Sequence, residues 1–166
     1  LASYQDKCAV WIELGLQSAS DKTLEAIGRG HNAECWRNAA LRVKAHGLML
    51  SSHIIIGLPG EGRKEYLATV DLVNDVHSDG VKIHNLHIPG GTRMGDEYLE
   101  GCFTASSEGR YLEDAEFVLR HLDPAIIIQR LICETPYHRL LAPRVFPDKS
   151  LFLSRLDERM DEHGTM

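Results

Sequence analysis

An apolar segment that runs straight into a glycine-rich turn is the feature that most restricts the fold of this chain. It spans His53–Glu61, with the sequence HIIIGLPGE, and a helical pattern follows it. A second apolar segment, Val10–Ser18, lies one strand-and-helix unit upstream. Strands that end in such turns before a helix are typical of parallel α/β sheets, which bind ligands at the carboxyl ends of their strands. The two segments therefore predict half of a barrel built around a nucleotide-like ligand.

Strands and helices alternate through the first part of the chain. Ser20 and Asn32 are placed to cap two helices, and Gly47 is suited to end the second. Because a helix follows each of the first two predicted strands, the strands are expected to lie parallel. The predicted elements are strands at Val10–Ser18, Met49–Ile56 and Val81–Ile88, and a helix at Arg63–His77.

The part of the chain after Gly91 has a different pattern. A loop-rich stretch precedes a helix that Pro124 ends, and a further strand is predicted at Ala125–Leu131. An irregular, proline-containing segment that includes Pro147 follows, and Asp148 is placed to cap a last helix. These elements indicate a small α/β extension after the barrel strands.

The length sets the size of the barrel. The chain has 166 residues, whereas a complete (β/α)₈ barrel usually has about 250. We therefore predict an α/β fold: half of a partial TIM-type barrel with parallel strands, followed by the small extension. The predicted division assigns residues 1–100 to the barrel half and residues 101–166 to the extension.

Composition narrows the functional classes. The net charge of −6 argues against general attraction to nucleic acid or to anionic membranes. No segment approaches the roughly 18 apolar residues of a membrane span, and no signal-like region opens the sequence, so we expect a cytoplasmic protein without a membrane partner. The four cysteines have no close pair, which favours buried reduced thiols over a zinc site or a disulfide framework.

Strand alternation places polar side chains on one face. Glu13, His53, Lys82 and His84 share a face across the predicted strands, whereas intervening residues such as Ile83 are apolar. A parallel sheet covered on both faces is normally apolar throughout, because a buried unpaired charge is costly. The simplest interpretation is a polar face that lines a ligand cavity. Two alternatives stay open: polar groups that satisfy one another in a dry core, and a sheet face open to solvent.

The turn at Gly57–Gly60 supports a ligand site at the strand end. Its backbone amides can approach a ligand closely and donate to an anion or to a ribose hydroxyl, next to a helix N-terminus. The same four residues also occur as an ordinary tight turn. The turn therefore adds to the interpretation without deciding it.

Four motifs, taken in order, resemble the later strands of a radical S-adenosylmethionine (SAM) enzyme. They are LGLQSAS at residues 14–20, RGH at 29–31, HIIIGLPGE at 53–61 and KIHNLH at 82–87. The resemblance is to an uncharacterised bacterial subfamily related to the Elongator catalytic subunit. Residues 8–91 are similar to the fourth to sixth strands of the family's partial barrel, and the remainder is similar to the C-terminal extension of that subfamily.

The resemblance implies two cofactors, SAM and a [4Fe–4S] cluster. In such enzymes the cluster, held by three cysteines, reduces bound SAM to methionine and a 5′-deoxyadenosyl radical, which abstracts hydrogen from the substrate. Gln17 resembles a residue near the SAM ribose, and Arg29 resembles one that pairs with the SAM carboxylate, a task that suits a bidentate guanidinium. The other implied SAM contacts are His53, Ile55, Gly57, Leu86, His87 and Ile88.

Two departures from the family pattern concern activity. His53 stands where the strand motif has its first glycine, and Glu61 comes one residue later than the motif's acid, so no direct SAM contact is assigned to Glu61. The Cys-x₃-Cys-x₂-Cys loop and the Gly-Gly-Glu segment are absent, and no cysteine replaces that loop by spacing. We therefore expect a fragment, a truncated gene product or a trimmed piece, without metal ligands of its own. It should be inactive without its partner, the N-terminal half of the barrel.

Lys82 and His84 are the candidate catalytic residues, because both suit the handling of substrate protons. The alternative is that Lys82 merely pairs with Glu13, which we include as a pocket candidate. His84 and His87 are spaced like a metal-binding pair, but in a strand they point to opposite faces, which argues against a metal site. The sequence does not identify the substrate, since the fold positions the cofactor while loops select the substrate.

A group of basic residues lies in the C-terminal part of this acidic chain. It indicates either contacts with RNA phosphates or a face that packs on the N-terminal half, and the lack of an aromatic stacking platform favours packing. Two functions other than an enzyme portion stay open: a cluster-free α/β ligand-binding module, and an RNA- or partner-interaction module. The basic residues are Arg130, His138, Arg139, Arg144 and Lys149.

Overall fold

A computed structural model of the chain describes residues 1–133, 135–144, 148–162 and 164. Its main feature is a four-stranded parallel sheet with the strand order β1-β2-β3-β5. A short antiparallel pair, β4 with β6, lies outside this sheet. The strands are β1 (Trp11–Gln17), β2 (Met49–Ile56), β3 (Gly80–Asn85), β4 (Ile88–Pro89), β5 (Ile127–Arg130) and β6 (Leu140–Ala142).

The helices begin where the sequence predicts caps. The Ser20 side chain accepts a hydrogen bond from the Thr23 amide, and the Asn32 side chain accepts one from the Cys35 amide. Gly47, with φ +68°, follows the end of the second helix. The predicted caps and the alternation of strands and helices are therefore confirmed. The helices are α1 (Asp21–Ala26), α2 (Ala33–Ala45), α3 (Arg63–Asp75), α4 (Arg93–Leu99), α5 (Glu108–His121) and α6 (Lys149–Glu162).

The main core lies between the sheet and the helices. Ile54, Val81 and Ile83, which face the helices, are at most 2% exposed. They belong to one apolar cluster with residues of α2, α3, α5 and α6, such as Val70 and Phe152. Burial of this apolar surface is the main source of stability in such a domain. We call this side of the sheet the core face.

The third predicted strand is wrong in its length. β3 ends at Asn85 rather than at Ile88, and Ile88 instead belongs to β4, where it pairs with Ala142. The main reason is that β2 ends at Ile56, so β3 has no partner ladder beyond Asn85. The Asn85 side chain also turns to the Cys133 amide, which fixes the chain at the end of the strand.

Some other expectations need correction. The predicted loop after Gly91 contains α4, which Thr92 caps by accepting from the Gly95 amide. The helix predicted to reach His77 ends at Asp75, where Val76 forms the cap. The strand predicted at Ala125–Leu131 is shorter, and all four residues of β5 are exposed because they form an edge of the sheet. The segment predicted to be irregular contains β6 (Leu140–Ala142), whereas its Pro147 lies outside the described residues.

The cysteines are not the buried thiols that the sequence predicts. Cys8, Cys35 and Cys102 are exposed, and Cys133 is half-buried. The Cys133 Sγ lies 3.3 Å from the Asn85 carbonyl oxygen, and burial raises the pKa of this thiol to about 11. Within the described ranges, no helix combines the length and apolar character needed to cross a membrane.

Candidate functional site

The face of the sheet opposite the core carries a group of charged and polar side chains, and we call it the lumen face. Lys82 Nζ donates a hydrogen bond to Glu13 Oε1 from two strands away. His53 Nε2 lies 3.1 Å from the other carboxylate oxygen of Glu13. The His53 and His84 rings lie with their centroids 5.7 Å apart. The structure therefore brings together the four polar residues that strand alternation places on one face.

The titration of these groups differs from that of free side chains. The hydrogen bond from Lys82 holds the pKa of Glu13 below its usual value. Burial lowers the pKa of His53, and burial together with the positive charges around it lowers the pKa of His84 to about 4. Both imidazoles are therefore neutral at pH 7, and the Lys82–Glu13 pair carries opposite charges.

Gln17 and Arg29 meet over Gly15 at the carboxyl end of β1. The Arg29 guanidinium donates to the Gly15 carbonyl oxygen at 3.1 Å, and it lies 3.1 Å from His31 Nε2. Gln17 has φ +68°, which turns its side chain back over the strand. A Cβ at Gly15 would collide with the Gln17 amide and lie 3.0 Å from the guanidinium. The glycine therefore makes room for two of the predicted SAM contacts to stand side by side.

The turn after β2 is held by a buried tyrosine and a half-buried acid. The Gly57 amide donates to the Tyr66 hydroxyl at 3.2 Å, and φ of Gly57 is +94°. Glu61 accepts a hydrogen bond from Ser18, and burial raises the pKa of Glu61. Glu61 therefore ties the loop after β1 to the turn after β2. The sequence did not identify Ser18 or Tyr66, since nothing in the local pattern shows that they reach these partners.

The end of β3 supplies an apolar wall and a fixed histidine. His87 Nε2 lies 2.8 Å from Asn85 Nδ2, and His87 Nδ1 lies 2.7 Å from Thr135 Oγ1, so both ring nitrogens have partners. Burial lowers the pKa of His87. Three of the implied SAM contacts, Ile55, Leu86 and Ile88, belong to one apolar cluster, in which Ile88 is completely buried.

Metal binding has little support in this geometry. Across the described residues, no three His, Cys, Asp or Glu side chains are grouped so as to hold a metal ion. His84 and His87 do not form a pair, because both nitrogens of His87 are directed to Asn85 and Thr135. The described residues therefore do not fit a [4Fe–4S] cluster.

Two of the relatives described here match the chain over almost its whole length, and a third matches less than half of it. Protein YhcC of Escherichia coli K12 is 37% identical over 99% of this chain and 53% of YhcC. The uncharacterized protein YtqA of Bacillus subtilis 168 is 30% identical over 99% of this chain and 51% of YtqA. A tRNA-2-methylthio-N(6)-dimethylallyladenosine synthase of Zymomonas mobilis is 36% identical over 43% of this chain and 16% of that protein. The chain thus spans about half the length of YhcC and YtqA.

The fold is also found in a solved structure. Elp3 of the archaeon Methanocaldococcus infernus, with an N-terminal deletion, superposes with a TM-score of 0.83 at 22% identity. The match covers 99% of this chain and 39% of that chain, and it confirms the predicted partial barrel. Residues 1–73 match the family described as "Radical SAM superfamily", and residues 78–162 match "Radical_SAM C-terminal domain". The chain therefore belongs to the radical SAM superfamily.

Proposed function

We propose that this chain is the SAM-binding portion of a radical SAM enzyme that generates a 5′-deoxyadenosyl radical. One observation carries the proposal: the Arg29 guanidinium is fixed beside the Gln17 amide at the carboxyl edge of the parallel sheet. Ligands of parallel α/β sheets bind at this edge. A guanidinium there suits the SAM carboxylate, and an amide beside it suits a ribose hydroxyl.

Ile55, Leu86 and Gly57 fit the remaining parts of SAM, whereas His53 and His87 make contacts within the chain. Ile55 and Leu86 belong to an apolar cluster that suits the adenine ring. Gly57 keeps the strand end open, because a Cβ there would lie 3.1 Å from Ser106 Oγ. His53 lies deeper on the lumen face beside Glu13. His87 contributes by holding the end of β3 against Thr135.

The cluster is proposed to be held by residues outside this chain. When bound in such an enzyme, it supplies the electron that cleaves SAM, and its cysteine loop has no counterpart in these 166 residues. We propose that the N-terminal half of the barrel supplies that loop. On this proposal the chain alone binds SAM weakly and does not catalyse the reaction.

The lumen face is proposed to hold the substrate. Glu13 and Lys82 form a charged pair there, and His84 Nε2 is buried without a hydrogen-bond partner in the part of the chain that the structure describes. Lys82 and His84 stay the candidates for exchanging protons with substrate. His84, as a neutral imidazole, is able to donate or accept a hydrogen bond.

The test compares this chain with a longer form that includes the upstream coding sequence. Both are reconstituted anaerobically with iron and sulfide, and iron content, absorbance and SAM binding are measured. We expect only the longer form to assemble a cluster and to cleave SAM. If the longer form holds no cluster, the enzyme proposal fails, and a cluster-free ligand-binding module takes its place.

Arg29→Gln tests the carboxylate contact within the longer form. We expect SAM binding to weaken about tenfold or more, because a hydrogen bond to a charged group contributes roughly 1.5 to 3 kcal/mol. Arg42→Gln is the matched control, since Arg42 is an exposed arginine on α2. Equal SAM affinity of the two variants would contradict the assignment of Arg29.

RNA binding is a second candidate function. The relative from Zymomonas mobilis is named as a tRNA-modifying synthase, and His138, Arg139, Arg144 and Lys149 are exposed here. Phosphate contacts make binding fall steeply with salt. We expect salt-dependent retention of RNA by the longer form, and we expect its loss in Arg139→Gln/Arg144→Gln. Retention that this double substitution leaves unchanged would favour packing on the N-terminal half as the role of these residues.

A further inference from the structure

The parallel register places one residue from each strand in a row across the lumen face. Gly15 pairs with His53, His53 with Lys82, and Lys82 with Arg130. Paired residues on neighbouring strands point to the same side and lie roughly 4.8 Å apart. Arg130, which the sequence groups with the basic residues of the C-terminal part, therefore belongs to the lumen face.

An irregularity in β5 is the reason for this position. Val81 pairs with Ile128, but the next residue, Lys82, pairs with Arg130, so Gln129 is an extra residue. In a regular ladder Arg130 would pair with Ile83, whose side chain lies on the core face. A bulge re-aims the side chains that follow it, and such bulges are frequent next to functional sites.

The extra residue is itself held on the lumen face. The Gln129 side chain crosses β3 above Gly80, and its Oε1 accepts a hydrogen bond from Ser51 Oγ at 2.7 Å. Gly80 permits this crossing, because a Cβ there would lie 3.0 Å from Gln129 Cδ and 3.0 Å from Trp11. The bulge therefore has a fixed geometry, anchored by a hydrogen bond to the second strand along.

The charges on this face do not balance. Lys82 is paired with Glu13, whereas Arg130 is exposed and forms no ion pair with any of the residues that the structure describes. His53 and His84 are neutral at pH 7, because burial lowers the pKa of both rings. One positive charge is left over on the lumen face, in a chain whose net charge is −6.

We propose that Arg130 binds an anionic group of the substrate, a phosphate or a carboxylate, on the lumen face. The inference rests on the proposed function, which makes this face the substrate site. The planar guanidinium presents a fork of donors that matches either anion. The Gln129 amide nitrogen, which has no acceptor within the described ranges, lies over Gly80 on the same face and is a further donor there.

Anion titration of the chain, followed by NMR, tests the proposal. Inorganic phosphate and succinate are the two probes, each titrated at constant ionic strength against chloride, and the signals observed are Arg130 Nε–H and the ring carbons of His53 and His84. We expect saturable shifts with at least one probe, and the tighter probe identifies the class of anion. An anion bound at Arg130 should also raise the pKa of both histidines.

Arg130→Gln is the decisive variant, and Arg42→Gln is its control. We expect anion binding to weaken about tenfold or more in Arg130→Gln and to stay unchanged in Arg42→Gln. If neither probe gives a saturable shift, or if Arg130→Gln binds the anion as tightly as the unmodified chain, the proposal is overturned.

The test of the anion site and the test of SAM binding can fail independently of each other. Arg130 lies away from the carboxyl edge of β1, so Arg130→Gln should leave SAM affinity of the longer form unchanged, and Arg29→Gln should leave anion binding unchanged. If the protein binds an anion through Arg130 but does not bind SAM, the proposed function is contradicted and the anion site is supported. If the longer form cleaves SAM but no anion binds through Arg130, the proposed function is supported and the anion site is contradicted.

Discussion

The two faces of the parallel sheet differ in burial and in chemistry although they share the same strands. In β3, Val81 and Ile83 are completely buried on the core face. On the lumen face the side chain of Lys82 is 17% exposed and that of its partner Glu13 is 48% exposed. Alternate residues of one strand thus serve two purposes. The difference teaches that stability is concentrated on the core face, which leaves the lumen face free to carry charges that a core would exclude.

The largest expected effect is a difference in unfolding free energy between substitutions at two adjacent residues, one on each face. Ile54→Ala should lower the free energy of unfolding by about 2 to 5 kcal/mol, because it leaves a cavity in the core. His53→Ala, one residue earlier on the lumen face, should cost less than about 1 kcal/mol, since Glu13 keeps its hydrogen bond from Lys82. Urea unfolding of the two variants measures this difference. Equal losses would show that both faces contribute alike to stability.

A buried polar pair on the core face gives the next effect. Ser52 and Ser78 are buried, and their hydroxyl groups are hydrogen-bonded to each other. Ser52→Ala should lower the free energy of unfolding by about 1 to 3 kcal/mol, because the buried Ser78 hydroxyl loses its hydrogen-bond partner. The double variant Ser52→Ala/Ser78→Ala should be more stable than Ser52→Ala alone. A double variant that loses the sum of the two single losses would contradict this explanation.

The sequence predicted the features that depend on local physics. Ser20 and Asn32 were correct as caps because a side-chain oxygen needs only an amide two or three residues away. The prediction that Glu13, His53 and Lys82 share one face was correct because strand alternation has a fixed period of two. Both predictions needed no knowledge of distant parts of the chain.

The features that the sequence missed depend on distant partners. Arg130 reaches the lumen face only because Gln129 is an extra residue opposite β3, and its anchor, Ser51, is far away in the sequence. The early end of β3 likewise depends on where β2 ends. The domain division at residue 100 and the roles of the individual site residues stay predictions.

The pH dependence of stability should report the lumen histidine His84. Its pKa is about 4 in the folded chain against 6.5 for a free histidine, so the unfolded state binds more protons between these values. Stability should therefore fall as pH is lowered from about 6.5 to about 4. His53 and His87, whose pKa values burial also lowers, act in the same direction.

His84→Gln should flatten this dependence, although part of it should remain because of the other two histidines. Urea midpoints at pH 4.5 and at pH 7 measure the slope, and the exposed His46 supplies the matched histidine substitution, His46→Gln. A slope that is as steep in His84→Gln as in the unmodified chain would show that His84 takes no part in it.

The smallest expected effect tests whether the lumen face acts as one electrostatic unit. Glu13 raises the pKa of His53 and Lys82 lowers it, so Glu13→Gln should lower that pKa and Lys82→Met should raise it. Both shifts should be small, because both partners are partly exposed to water. NMR titration of the His53 ring measures both. Shifts in opposite directions would show that the charges on this face are coupled through space. If neither substitution changes the pKa of His53, the lumen face is a solvated surface. The two faces of the sheet then differ in burial and not in electrostatic coupling.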